Sequence, residues 1–139
     1  MIRFLLDTNV ISDVARPEPQ PSVLSRYERH FHESALAATS WHELLYGVER
    51  LPAGRRKTEL SRYMLNVIAP SLPVFSYDSA AAEWHAQERA RLDAAGRTRS
   101  YTDGLIAAVA ASRDLILVTR NVRDFEGYAG LHVENWFEP

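Results

Sequence analysis

The chain begins Met1-Ile2-Arg3-Phe4-Leu5-Leu6-Asp7-Thr8-Asn9, a short apolar run that ends on an aspartate. A run of this length, rich in branched residues, is typical of a buried β-strand. Three further runs have the same character, and a fifth is weaker. They are Ala35 to Ala38, Leu72 to Phe75, Leu115 to Val118 and, as the weaker one, Leu131 to Val133.

Segments with helical patterns separate these runs. An apolar stripe at helical spacing consists of Trp41, Leu44, Leu45, Val48 and Leu51. A second helix is predicted from Asp78 to Ala95, with Gly96 as its C-terminal stop. Leu105 to Ala111 is apolar all round, which predicts a helix buried on most sides. Short apolar strands that alternate with helices predict an α/β fold with a mainly parallel sheet covered by helices.

Length and composition limit the classes of protein that this chain can belong to. Its 139 residues fit one domain, and 46% hydrophobic with 24% charged residues exclude a disordered chain. No apolar run is long enough to span a membrane. An acid interrupts the apolar N-terminal stretch, and cysteine is absent, so we expect a cytoplasmic protein without disulfides. The net charge of -2 means that any nucleic-acid binding must use a local patch.

Acidic residues stand at the predicted strand-to-helix junctions. Asp7 ends the first strand, and Asp124 follows the fourth. Glu43 is expected in the first turn of the Trp41 helix, and Asp103 opens the apolar helix. Because a parallel sheet forms its sites at the carboxyl ends of its strands, we expect these four carboxylates to lie along one edge.

Each acid also has a purely structural interpretation. Ser40-x-x-Glu43 and Ser100-x-x-Asp103 both match the capping box of a helix N-terminus. Asp7 could cap the helix that follows it, and Asp124 could hold a turn. None of these structural roles requires the four carboxylates to converge.

Convergence of the four acids favours a divalent cation. At an effective dielectric constant of about 20, two carboxylates about 4 Å apart repel each other by roughly 4 kcal/mol. Hard oxygen ligands without cysteine or clustered histidine favour Mg²⁺ or Mn²⁺ over Zn²⁺. Such ions orient a phosphate, activate a water and neutralise the leaving oxygen, while a carboxylate serves as general base. The residues therefore predict metal-dependent phosphodiester or phosphomonoester chemistry.

The acids and their neighbours together resemble the PIN-domain family, and within it the VapC-type toxins, which are the ribonucleases of bacterial toxin–antitoxin pairs. The resemblance covers nearly the whole chain. The segments that carry it are Asp7-Thr8-Asn9, Glu43, Asp103-Gly104-Leu105-Ile106-Ala107-Ala108, Thr119-x-Asn121-x-x-Asp124-Phe125, Gly127-Tyr128-Ala129-Gly130-Leu131 and Asn135-Trp136.

This resemblance implies a single PIN domain over residues 1–139 with three α/β/α layers. It implies a metal-dependent endoribonuclease that cleaves RNA with a metal-activated water, using Mg²⁺ or Mn²⁺. It also implies a homodimer and a cognate VapB-like, DNA-binding antitoxin that occludes the site. The implied catalytic and metal-binding residues are Asp7, Glu43, Asp103 and the more variable Asp124. The implied supporting residues are Thr8 and Asn9, which fix Asp7, together with Thr119 and Asn121.

Some alternatives stay open at this stage. Arg97 and Arg99 precede Asp103 and either contact an RNA phosphate or lie in solvent. The chain could also be a non-catalytic PIN-like module that binds protein or nucleic acid. A haloacid-dehalogenase-like phosphatase fits less well, because it needs a second aspartate where this chain has Asn9. That class also needs a lysine near its third motif, whereas the only lysine, Lys57, lies in a basic turn.

Overall fold

Five parallel strands form the centre of the protein in the computed structural model, which describes residues 1–139. The strands are β1 (Phe4–Leu6), β2 (Ser34–Ala37), β3 (Val74–Phe75), β4 (Ile116–Val118) and β5 (His132–Glu134). Their order across the sheet is β3-β2-β1-β4-β5, and every neighbouring pair is parallel. In the register, Leu5 pairs with Ala35 on one side and with Leu117 on the other. The predicted parallel sheet is confirmed, and each predicted run overlaps one of its strands.

Helices connect the strands. They are α1 (Thr8–Val14), α2 (Pro21–His30), α3 (Ala38–Glu49), α4 (Arg55–Tyr63), α5 (Ala69–Ser71), α6 (Ser79–Ala94) and α7 (Tyr101–Ser112). A π-helical turn, Met64–Ile68, joins α4 to α5, and 3₁₀ turns occupy Phe31–Glu33 and Val122–Phe125. None of these helices is long and apolar enough to cross a lipid bilayer.

Alternation along the strands divides the core into two halves, one on each face of the sheet. Phe4 and Leu6 of β1 point into a cluster with residues of α1, α2 and α3. Leu5, between them, points into the other cluster with residues of α6 and α7. Successive side chains of a strand face opposite sides, so a strand buried on both faces needs helices on both. The architecture is the expected three-layer α/β/α arrangement.

The ends of the helices follow local sequence signals, with one exception. Asp78 caps α6 by accepting a hydrogen bond from the Ala81 amide at 3.0 Å, and Gly96 follows that helix with φ of 70°. The expectation that Ser40 and Glu43 form a capping box, with Glu43 in the first turn, is wrong. Helix α3 begins at Ala38, so Ser40 lies inside it with a buried hydroxyl that has no partner.

Helices α6 and α7 approach each other closely at Gly104. The buried His85 ring of α6 lies against this glycine, and a methyl group there would overlap the Nε2 atom of His85. The hydroxyl of Tyr77 lies 3.0 Å from His85 Nδ1 on the other side of the ring. Since Gly104 directly follows Asp103, the close packing helps to fix the start of α7.

Candidate active site

The candidate site lies where the order of the strands reverses. Strands β1 and β4 are neighbours at the centre of the sheet, and the chain passes from β1 to β2 on the opposite side. Asp7 follows β1, and Thr119 follows β4. The Asp7 amide continues the ladder by donating to the Val118 carbonyl at 2.9 Å. Such a reversal opens a crevice at the carboxyl ends of the strands, which is where α/β proteins bind ligands.

Asp7 is held firmly in this crevice. Its side chain is buried, with 8% of the residue exposed. The Thr8 amide donates to Oδ1 at 2.8 Å, and the Thr119 hydroxyl donates to Oδ2 at 2.8 Å. The side-chain Nδ2 of Asn9 donates a longer hydrogen bond, 3.5 Å, to Oδ2. Asp7 is also the N-cap of α1, so its structural role and its place in the acid cluster coexist.

The expected supporting residues surround Asp7. Asn9 Nδ2 lies 3.4 Å from Thr119 Oγ1, and Asn9 Oδ1 accepts a bond from the Arg120 amide at 3.2 Å. The Asn121 amide donates to Thr119 Oγ1 at 3.1 Å. Thr8 and Asn121 thus contribute through their main chains, whereas Asn9 and Thr119 contribute through their side chains.

Asp103 lies half-buried at the start of α7, where the Ser100 hydroxyl caps the helix by accepting from the Asp103 amide at 3.0 Å. This part of the capping interpretation is confirmed. Asp124 is an exposed residue of the 3₁₀ turn Val122–Phe125, and its carboxylate accepts no hydrogen bond.

Electrostatics link these three aspartates. Burial raises the pKa of Asp7 above its ordinary value, and the charges of Asp103 and Asp124 raise it further. Burial likewise raises the pKa of Asp103, with a further contribution from Asp124, while the Arg99 charge lowers it. The charges of Asp103 and Asp124 therefore both act on Asp7, and the charge of Asp124 also acts on Asp103.

Glu43 lies at the same edge of the sheet but on another side of the crevice. Its side chain is 51% exposed and borders a groove between α1, α3 and α4, together with Thr8 and Arg56. No three acidic or histidine side chains are close enough together to coordinate one ion in this arrangement. The donor set nevertheless fits a hard divalent cation, because it consists of carboxylate oxygens and is partly desolvated.

The two arginines before Asp103 differ in their surroundings. Arg99 donates from Nη1 to the Arg123 carbonyl at 3.2 Å and from Nη2 to the Glu126 carbonyl at 2.7 Å. Arg97 is exposed, and its guanidinium lies over Gly127. Arg99 is therefore engaged within the chain and Arg97 is not, and the RNA contact remains a prediction for both arginines.

One structural pair next to the site was not found from the sequence. Glu88 of α6 is buried and forms a two-pronged ion pair with Arg91, with both bonds at 2.9 Å. It also accepts a bond from the Ala129 amide at 2.5 Å, which ties α6 to the loop after Asp124. The sequence signal, a glutamate three residues before an arginine, is shared by many exposed helix faces.

Fold and site together define a class: a parallel α/β protein with a buried aspartate at its strand reversal and two further aspartates whose charges act on it. The sequence matches the PIN domain family over residues 4–131. The chain belongs to the PIN-domain family.

Particular relatives are similar over almost their whole length. The chain is 34% identical to the tRNA(fMet)-specific endonuclease VapC of Shigella flexneri, covering 98% of this chain and 99% of that protein. It is 31% identical to FitAcB from Neisseria gonorrhoeae, with a TM-score of 0.90 over 98% of this chain and 99% of the other. DNA-bound VapBC from Salmonella typhimurium has a TM-score of 0.84 at 31% identity, with the same coverage of both chains.

Proposed function

We propose that this protein is a metal-dependent endoribonuclease and the toxin of a VapBC-like toxin–antitoxin pair. The observation that carries the proposal is the buried Asp7 carboxylate at the strand reversal, repelled by two further aspartates. A fold gains nothing in stability from gathering like charges in a desolvated crevice. A site that binds a cation during function has a reason to gather them.

The carboxylates have distinct proposed roles. Asp7 and Asp103 are the principal ligands of Mg²⁺ or Mn²⁺, because burial raises the pKa of both and the charge of Asp103 acts on Asp7. Glu43 and Asp124 are further ligands, direct or through water. When bound, the cation supplies neutralisation of the phosphate charge and activation of the attacking water. Thr119 and the Thr8 amide keep the Asp7 oxygens oriented toward the crevice.

A proton acceptor is also available. The Asp124 carboxylate is exposed and free of hydrogen bonds, so it can accept the proton of the attacking water as general base. The start of α7 brings the partly positive end of a helix to the same region, which favours a bound phosphate.

The names of the relatives support the substrate and partner. The VapC of Shigella flexneri is described as a tRNA(fMet)-specific endonuclease, and the similar structures from Salmonella typhimurium and Neisseria gonorrhoeae are VapBC and FitAcB. We therefore propose an RNA substrate, a VapB-like antitoxin and a homodimer. RNA as substrate and the absence of cysteine both fit the cytoplasm as the compartment.

Two alternatives are weaker. A non-catalytic binding module has no use for a buried aspartate that is repelled by two further aspartates. A haloacid-dehalogenase-like phosphatase lacks its second aspartate here, because Asn9 instead bonds to Thr119 and to the Arg120 amide.

The direct test is cleavage of a mixed pool of transfer and ribosomal RNA by antitoxin-free protein with Mg²⁺, Mn²⁺ or EDTA. We expect discrete fragments that require the metal and that disappear in the Asp7→Asn variant. The variant should melt at or above the wild-type temperature, since the buried charge is removed and the side-chain oxygen of asparagine can still accept from the Thr8 amide as the N-cap of α1. A folded Asp7→Asn protein that cleaves RNA at the wild-type rate would contradict the proposed mechanism.

A further inference from the structure

The fourth carboxylate of the site is held differently from the first. Asp7 accepts hydrogen bonds from Thr8 and Thr119, whereas the Asp124 carboxylate accepts none. Only the backbone of the turn Val122–Phe125 determines where Asp124 lies. Whatever holds that backbone therefore also sets the position of the carboxylate.

The turn is anchored from two sides. On the inner side, the Phe125 ring is buried in the core. On the outer side, Arg99 bonds to the carbonyls of Arg123 and Glu126 at 3.2 and 2.7 Å. These carbonyls flank Asp124 in the sequence, so one guanidinium spans the segment that carries the carboxylate.

Arg99 is itself fixed relative to Asp103. It directly precedes Ser100, whose hydroxyl caps α7 through the Asp103 amide at 3.0 Å. The Nε atom of Arg99 is buried and has no partner, so this side chain is embedded against the protein. Each of its two terminal nitrogens already donates to a carbonyl of the turn, which fixes the guanidinium plane relative to that backbone.

We propose that Arg99 is a positioning residue that places Asp124 against Asp103 by holding the backbone of the turn to the start of α7. A planar guanidinium can bridge two carbonyls, whereas the single nitrogen of a lysine, although equally charged, cannot reproduce that geometry. The consequence for cation binding rests on the proposed function, but the bridge itself does not.

The test compares Arg99→Lys with the matched control Arg123→Lys, which changes an arginine of the same turn whose side chain makes no hydrogen bond. Hydrogen–deuterium exchange of residues 122–126 is measured without metal, and Mn²⁺ affinity is measured by calorimetry. We expect faster exchange and about tenfold weaker Mn²⁺ binding in Arg99→Lys only, as is typical for residues that support a ligand. In an Asp124→Asn background, Arg99→Lys should weaken Mn²⁺ binding no further.

Several results would overturn the proposal. One is unchanged exchange in Arg99→Lys, and another is faster exchange with Mn²⁺ affinity equal to that of the wild type. If Arg99→Lys weakened Mn²⁺ binding as much in the Asp124→Asn background as in the wild type, the effect would be a general structural one. RNA binding in EDTA that falls in Arg99→Ala and returns in Arg99→Lys would show a phosphate contact instead. If the wild type binds no Mn²⁺, the metal site of the proposed function fails, and the exchange measurement alone decides the bridge.

Discussion

Two buried carboxylates of this protein have pKa values shifted in opposite directions. Asp7, at the strand reversal, has its pKa raised by burial and by the charges of Asp103 and Asp124. Glu88, on α6, has its pKa lowered, chiefly by hydrogen bonds from Arg91, with a further bond from the Ala129 amide. Both residues are 8% exposed, so burial alone does not explain the difference.

The hydrogen-bonding and charged partners of the two carboxylates explain why their pKa values shift in opposite directions. Glu88 meets a cation of its own chain, and that pair joins α6 to the loop after the Asp124 turn. Asp7 meets only neutral donors and other acids. A carboxylate with its counter-charge supplied internally is part of the framework, whereas one left among like charges is free to bind a cation from solution.

The largest expected effect is a difference in Mn²⁺ affinity between variants of Asp7 and Glu88. We expect Asp7→Asn to weaken Mn²⁺ binding by more than about a hundredfold, which exceeds the loss typical of a merely supporting group. Glu88→Gln serves as the control and should bind Mn²⁺ as the wild type does. Calorimetric titration of EDTA-treated proteins measures both. Equal losses in the two variants would contradict the assignment of Asp7 as a ligand.

The second prediction reverses the comparison and concerns stability. Glu88→Ala removes the carboxylate that accepts charge-assisted hydrogen bonds from Arg91 and from the Ala129 amide, so we expect the free energy of unfolding to fall by about 2 kcal/mol. Asp7→Asn should leave it unchanged or raise it, because a desolvated and repelled charge is removed. Urea denaturation of the metal-free proteins gives both values. A larger loss in Asp7→Asn would mean that Asp7 is a framework residue.

The third and smallest effect is the dependence of stability on pH. The pKa of Asp7 lies above 3.8, so its stabilising contribution is complete below that pH and is lost as the pH rises through the raised pKa. The pKa of Glu88 lies below 4.5, so its contribution is present above that pH and is lost as the pH falls through the lowered pKa.

Unfolding of the metal-free wild type, Asp7→Asn and Glu88→Gln across the acid range tests this prediction. The advantage of Asp7→Asn over the wild type should grow with rising pH, and the deficit of Glu88→Gln should shrink with falling pH. If the stability difference from the wild type changed in the same direction with pH for both variants, the environments of Asp7 and Glu88 would be alike.

The sequence predicts those parts of the protein that local patterns encode. Apolar runs overlap all five strands, and the most continuous burial is in the central strands β1 and β2, whose two faces are both covered by helices. Asp7 and Asp124 follow β1 and β4, as the apolar runs predict, and parallel strands end on the same side of a sheet. The prediction of a strand-to-helix junction is wrong for Asp103, which opens α7 after a loop that follows α6, and for Glu43, which lies in the second turn of α3. Gly96 and Ser100 mark helix ends through their own backbone and hydroxyl chemistry.

Other features depend on contacts between distant parts of the chain. Arg99 bonds to residues 24 and 27 positions away, and nothing in its immediate neighbours encodes that distance. The start of α3 was misplaced because Ser40 and Glu43 match a capping box while β2 ends at Ala37, so the helix begins three residues earlier than expected. The role of Glu88 could not be predicted from the sequence, because its partner, the Ala129 amide, lies 41 residues away along the chain.

The contact between His85 and Gly104 has a consequence for how this family member can change over time. An imidazole occupies the space where a side chain at position 104 would begin. An alanine at position 104 is therefore acceptable only if position 85 shrinks at the same moment. The two positions should therefore change together, and we expect His85→Ala to relieve the overlap that Gly104→Ala creates at the start of the helix that carries Asp103.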